Sequence, residues 1–575
     1  MRKLIRFLKP YQWHLAASMV LLLLRALTEV LLPRLMATIV DEGIAMSNQD
    51  VIIRTGIIMF FVALTGAVLA VANSYLSSRI SAGFSRDLRS SIFTHIENFS
   101  LKEFNTFGAA TLITRTTNDV TQLQMLLMMM TRIMVMAPMM AVGSMIMAVS
   151  QDAKLSLVIF GAILILAVIV GVIIKIGTPY FRIIQEKIDQ INLVLRENLS
   201  GVRVVRAFNR QDRESARFDA ANSDLRNTSI RINTIMAVLN PAIQITMSLA
   251  TIALVWFGAI RVSYGDIRVG ALMSFIQYTS MVMFAVVMVS FLFIMIPRAE
   301  ASADRINAVL DLQPEIVDPA QPAPESDCRG CIDFENVAFQ YPGAEEPAVE
   351  GLNFSVKPGE FTAIIGGTGS GKSTLINLIP RFFDATSGRI LINGVDVREM
   401  TQESLRSKIG YVSQQALLFG GTVTENIRFG KEDATMEEVV HAAQTAQADE
   451  FIRAMTDGYD TRIEQGGTNV SGGQRQRLSI ARALVRKPEI YIFDDSFSAL
   501  DFKTDAKLRA ALRSEITDAT VIIVAQRVST VLDADRIIVL DEGKVAGIGT
   551  HRELIKSSKV YREIVASQLS EEELA

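Results

Sequence analysis

Six long stretches of predominantly apolar residues constrain this 575-residue chain more than any other feature. They fall at residues 14–36, 52–75, 128–149, 155–175, 241–262 and 270–296. A bilayer core about 30 Å thick takes roughly 20 helical residues to cross. Each stretch is therefore one span, none is long enough to be two, and the even number returns the chain to its starting side. The chain is 50% apolar and 20% charged, and the charges are thin in the first half and dense in the second. A net charge of −3 leaves no basic footprint for nucleic acid.

Arg2, Lys3, Arg6 and Lys9 precede the first stretch, as in a secretory signal. That stretch is too long for a signal, however, carries Arg25 and Glu29, and is followed by five more, so it reads as the first membrane helix. Basic residues in flanking segments prefer the cytoplasm. They fill the leader, the connection 76–127 (Arg79, Arg86, Arg89, Lys102, Arg115) and the connection 177–235, where Arg182 to Arg231 are nine arginines, with Lys187 among them. The opposite loops are short and carry Asp41, Glu42, Asp50 and Asp152. The expectation is a multi-pass cell-membrane protein with its N-terminus and both long connections in the cytoplasm. Those connections, far longer than ordinary loops, are expected to be helical extensions.

Pro314, Pro319, Pro322 and Pro324 interrupt helix and strand alike. They divide a membrane domain at 1–313 from a linker at 314–327 and a second domain at 328–575. In the second domain, short apolar runs (Phe361–Ile365, Ile390–Ile392, Ile490–Phe493, Val521–Val524, Arg536–Leu540) alternate with polar helical segments. The fold class is thus an α-helical six-span membrane domain followed by an α/β domain. Cys328 and Cys331 form a CxxC with no histidine nearby. Two thiols fall short of the about four ligands of a structural zinc site, so no metal or redox role is assigned to them.

The run Phe361–Ile365 leads into Gly366, Gly367, Thr368, Gly369, Ser370, Gly371, Lys372, Ser373 and Thr374, the GxxxxGK[ST] pattern between strand and helix. Its glycines let backbone N–H groups wrap phosphate oxygens, Lys372 reaches the β and γ phosphates, and the Ser373 hydroxyl suits Mg2+. The cofactors expected are therefore ATP and Mg2+. A P-loop alone does not separate transporters from helicases or kinases. Val470, Ser471, Gly472, Gly473 and Gln474 resemble the signature motif of the ATP-binding-cassette (ABC) family, and further motifs follow that family's order. The resemblance makes Tyr341 the adenine-stacking residue, Gln414 the Q-loop glutamine, Asp494 the Walker B aspartate and Ser498 to Asp501 the D-loop. Ser373, Gln414 and Asp494 are then the Mg2+ ligands. Upstream, Leu88 to Val120 and Glu197 to Phe208 resemble the intracellular connections of the exporter branch, so the likeness covers nearly the whole chain.

Two positions depart from the family pattern. Asp495 stands where a glutamate follows Walker B, its carboxylate one bond, about 1.5 Å, short. Gln526 stands where the switch histidine is expected, and an amide cannot acquire a positive charge. The chain resembles the degenerate-site subunit of a bacterial heterodimeric multidrug exporter. Its own P-loop is expected to bind ATP with slow hydrolysis or none, while its intact signature motif completes the active site of a homologous half-transporter bearing the glutamate and histidine. The expected cargo is hydrophobic or cationic small molecules. A lipid flippase on the same scaffold is the alternative, and an ATP-gated channel the rival from another class. Arg25 and Glu29, four residues apart on the first span, and Met129 within the run Met125–Met147 are candidates for the cargo path, because intramembrane charge is costly unless paired or wet and methionine adapts to varied apolar shapes.

Overall fold

The structure, a computed structural model, describes residues 1–324 and 328–568. Residues 325–327 of the expected linker and 569–575 of the expected second domain lie outside the described residues. The chain forms two compact units. One is Met1–Glu97 with Phe107–Gln313, and the other is Asn98–Thr106 with the chain from Pro314 onward. The expected division at 313 places Asn98–Thr106 with the membrane spans. That segment instead belongs to the second unit, where the buried Glu103 accepts hydrogen bonds from the N–H groups of Ser100 (2.7 Å) and Glu315 (3.4 Å).

In the first unit, six helical stretches each contain one apolar span: Gln12–Thr38, Gln49–Glu97, Val120–Ile133 continued by Met136–Gln151, Ala153–Ser200, Leu239–Ser263 and Val269–Leu310. Gln49–Glu97, with 49 residues, is about 73 Å long at 1.5 Å per residue, more than twice the hydrocarbon thickness. The basic leader Arg2–Tyr11 is itself helical.

Apolar packing between spans gains little over packing against lipid, so paired polar groups help set helix register. The Ser18 hydroxyl donates to Asn73 Oδ1 at 2.6 Å, joining the first and second spans, and the hydroxyls of Ser77 and Thr131 meet at 2.6 Å, joining the second and third. At the end expected to face outward, Asp152 caps its helix by accepting from the Leu155 N–H (2.8 Å) and pairs with Arg261 (2.6 Å). The Gly270 N–H donates to Asp41 Oδ1 at 2.6 Å. A Cβ on Gly270 would lie 2.4 Å from the Ala37 carbonyl oxygen, so this close approach requires glycine. At the other end Asp119, 1% exposed, accepts from Ser302 Oγ (3.0 Å) and Arg305 Nε (2.8 Å).

The second unit is built on a six-stranded sheet in the order 544–549, 536–541, 361–366, 520–524, 490–494, 409–412, parallel except at the first edge. All residues of Phe361–Gly366, Ile490–Asp494 and Thr520–Val524 are buried, as befits strands covered on both faces. Alternate side chains enter two cores. Ala363, Ile365, Tyr491, Phe493, Val521 and Ile523 face one, while Ile364, Ile490, Ile492, Ile522 and Val524 face the other. A four-stranded antiparallel sheet, containing Ile332–Phe339 and Val349–Val356, packs into the second core.

Removing the cation from a buried ion pair strands the carboxylate, whereas neutralising the carboxylate leaves half-exposed Arg305 free to hydrate. Arg305→Ala is therefore expected to cost about 2–4 kcal/mol and Asp119→Asn about 1 kcal/mol. Thermal unfolding in detergent would show the larger fall in Tm for Arg305→Ala, and the opposite order would contradict this account of the pair.

Candidate nucleotide-binding site

Strands buried on both faces can present polar groups only where they end, and in open parallel sheets ligands collect at the carboxyl ends. Four neighbouring strands end here together. Phe361–Gly366 runs into the P-loop, Ile490–Asp494 into Asp495, Thr520–Val524 into Gln526, and Ile409–Val412 into Gln414. Register brings Val524 opposite both Asp494 and Ile364. The result is a cleft of about 430 Å3 lined by residues 368–374, Tyr341, Ala348, Gln414, Asp494, Asp495, Val524 and Gln526.

The P-loop adopts the backbone that its glycines permit. Gly371 has φ +93°, and a Cβ there would meet the Ala348 carbonyl oxygen at 2.7 Å. Lys372 opens the helix Lys372–Leu378, and its Nζ donates to the carbonyls of Gly366 (2.9 Å) and Gly367 (2.7 Å). Burial pulls the Lys372 ammonium below its ordinary pKa, while Asp495 and Asp494 pull it back up. A buried cation held mainly by carbonyl dipoles is suited to an anion that can supply full charge. Tyr341 contacts Phe339 and Phe383 edge-on, and its hydroxyl lies 3.1 Å from Thr374 Oγ1. Its 37% exposure leaves ring surface open to the cleft.

Burial, with Asp495 next, pushes the Asp494 carboxyl up to about 6, against a hydrogen bond from Ser373. Asp494, Ser373 and Gln414 thus supply a carboxylate, a hydroxyl and an amide carbonyl, a hard oxygen set of the kind Mg2+ takes together with phosphates. These residues fit Mg-ATP, with Lys372 and the P-loop amides on the phosphates.

Asp495 is 9% exposed and has φ +45°, a left-handed conformation that aspartate tolerates. Its Oδ2 accepts two amide N–H groups, from Gln414 Nε2 at 3.2 Å and Gln526 Nε2 at 3.1 Å. Burial raises the Asp495 pKa, and the Gln414 hydrogen bond opposes that rise. The two positions that depart from the family pattern are therefore joined in one hydrogen-bonded group. Gln414 uses its NH2 on Asp495 and keeps its carbonyl oxygen for a metal.

The signature residues lie away from this cleft. Ser471 and Gln474 form a capping box at the start of helix Gly472–Leu484, Val470 is buried, and a Cβ on Gly473 would sit 3.3 Å from the Ala499 carbonyl oxygen. Asp501 caps helix Phe502–Glu515 by accepting from the Thr504 N–H at 3.0 Å. In the membrane unit, the charged groups of Arg25 and Glu29 are 4.0 Å apart and partly exposed, and Met129 is half-buried. Cys328 and Cys331 lie close together, with Cα atoms 6.2 Å apart.

Sequence reasoning missed Gln568. Its side-chain amide donates to the Gln526 carbonyl (2.8 Å) and accepts from the Val528 N–H (2.8 Å), bracketing the switch segment from 42 residues away. Ala348 and Val524, as plain apolar wall, also carried no signal.

A family model described as ABC transporter transmembrane region matches residues 15–286, and one described as ABC transporter matches residues 349–498. An uncharacterized ABC transporter ATP-binding protein of Mycobacterium tuberculosis is 44% identical over 98% of this chain and 97% of its own length. An ATP-dependent lipid A-core flippase of Chromobacterium violaceum is 32% identical over 99% of this chain and 97% of its own. A putative multidrug export ATP-binding/permease protein of Bacillus subtilis is 31% identical over 99% of each. A solved bacterial Atm1-family ABC exporter with ATP bound superposes with TM-score 0.82 and 25% identity, covering 97% of this chain and 99% of the other. The chain belongs to the ABC transporter family. It is an exporter-type half-transporter, a multi-pass membrane protein with the ABC ATPase domain in the same polypeptide.

The raised Asp494 pKa has a definite sign. Its proton is held more tightly in the folded, metal-free domain than in the unfolded chain, so that domain loses stability as pH rises from about 4 through 6. Mg2+ must displace the same proton. Mg2+-dependent ATP binding, followed by fluorescence titration, should weaken by up to about tenfold per pH unit below pH 6. Asp494→Asn should remove that slope, and a flat profile in the unsubstituted protein would contradict the assignment.

Proposed function

We propose that this chain is the non-hydrolysing subunit of a heterodimeric ATP-driven exporter of hydrophobic or amphipathic compounds, with its nucleotide-binding domain in the cytoplasm. Its own P-loop site binds Mg-ATP and turns it over slowly or not at all. Its signature motif, Val470 to Gln474, completes the site of a partner half-transporter that carries the glutamate and histidine. The observation that carries this reading is the state of Asp495.

A water attacking the γ-phosphate needs a base within hydrogen-bond reach and in the right place. Asp495 is a bond short of the glutamate it replaces, and misplacement by about 1 Å can cost on the order of a hundredfold. One of its two carboxylate oxygens, Oδ2, is engaged by two amides, and one of those amides occupies the position of a histidine that could have become cationic. The binding groups, Lys372, Ser373, Asp494 and Gln414, are all present in the cleft. Retention of the binding set beside a weakened attack set suits a site that is occupied rather than cycled.

For cargo, the relative named a putative multidrug export protein supports small amphipathic molecules. The relative named a lipid A-core flippase supports a second reading, a lipid as cargo. Following labelled lipid and dye in proteoliposomes separates the two.

Asp495→Glu with Gln526→His is expected to raise the steady-state ATPase of the purified chain at least about tenfold, since both departures are reversed. If the unsubstituted chain alone hydrolyses ATP as fast as the double variant, the degenerate-site reading fails.

A further inference from the structure

We propose that the membrane unit holds one acyl chain of an anionic phospholipid in a cavity under its N-terminal helix, with the lipid phosphate on Arg6 and Lys9. The cavity, about 430 Å3, lies between the leader helix Arg2–Tyr11, the first span, Phe84 of the second and the start of the third. Ile5, Leu8, Met19, Leu127, Met130 and Met134 are among its walls. Its size is that of a small-ligand pocket, and its shape is that of a cleft open on one side.

The lining offers a ligand almost nothing polar. The two hydroxyls that reach it, of Ser18 and Thr131, are already bonded to Asn73 and Ser77 at 2.6 Å. Arg25 and Glu29 do not line it. A cationic amphiphile would therefore find no counter-charge inside. An apolar chain needs no partner there.

The leader helix supplies the rest of the site. Leu4, Ile5 and Leu8 turn toward the cavity, while Arg6 and Lys9 are exposed. Lys3 is bound to Asp311 at 2.6 Å. Among the described residues Arg6 and Lys9 form no ion pair, and the Arg6 guanidinium rests over the Phe7 ring at 5.0 Å. The cavity occupies the ends of the spans that the basic connections mark as cytoplasmic, at the depth of the inner leaflet, whose anionic lipids attract such charges. An apolar wall on one face of the leader helix and two exposed cations without an ion pair on another match the two parts of one anionic phospholipid.

Native mass spectrometry of the purified full-length chain, delipidated and re-exposed to limiting phosphatidylglycerol or phosphatidylcholine, tests this. One phosphatidylglycerol per chain should be retained, on the order of tenfold more than phosphatidylcholine. Arg6→Ala with Lys9→Ala should abolish that preference. Leu127→Trp, which fills the cavity, should lower retention of both lipids, whereas Leu164→Trp on the exposed lipid face (59% exposed) should change neither. Equal retention of the two lipids by the unsubstituted chain would overturn the proposal. So would retention unchanged in Leu127→Trp, or displacement of the lipid by a transported dye, which would make the cavity a cargo site.

Discussion

Burying the strands Phe361–Gly366, Ile490–Asp494 and Thr520–Val524 on both faces leaves their carboxyl ends as the places where this domain can show polar chemistry. The neighbours in the sheet are distant in sequence, yet parallel pairing ends them at one level. The P-loop, Asp494, Asp495 and Gln526 are thereby assembled without any loop having to reach far. The cost is electrostatic. A carboxylate at the end of a buried strand is poorly hydrated, and Asp494 and Asp495 both show it in raised pKa values.

That setting gives the two amides on Asp495 their consequence. In a low-dielectric cleft a hydrogen bond to a carboxylate is strong, and here it opposes, without cancelling, the rise that burial causes in the Asp495 pKa. Gln414 and Gln526 approach the same oxygen from separate strands. An aspartate is short enough to sit between them, and Gln526 is itself bracketed by Gln568. The departures at 495 and 526 thus act as one unit. Gln526 cannot take a charge, and Asp495 is tied through one oxygen to both amides.

Much of this was legible in the residues. An apolar run long enough to span a bilayer has few alternatives, and six such runs in series became six membrane-length helices. Local motifs were legible for a similar reason, since GxxxxGKS leaves the backbone little choice. Helix ends were less readable. That Gln49–Glu97 continues far beyond its apolar stretch was expected of the long connection, but where it stops was not. The break at Met134 and Val135 is announced by Pro138, which has no N–H for the Met134 carbonyl and crowds it, whereas Asn98–Thr106 joins the second unit through Glu103 and Glu315, an attachment visible only in three dimensions. Gln568 was illegible for the same reason.

The site of Lys372 and Asp495 is proposed to keep ATP that a complete site would consume. In the assembled transporter, photolabelling with an azido-ATP labelled on either the α or the γ phosphate, during steady turnover, reads the identity of the nucleotide on each subunit. Peptides carrying Tyr341 should retain the γ label nearly as well as the α label, since the nucleotide there remains ATP. Loss of the γ label from those peptides at the rate of overall hydrolysis would show a working catalytic site and contradict the account.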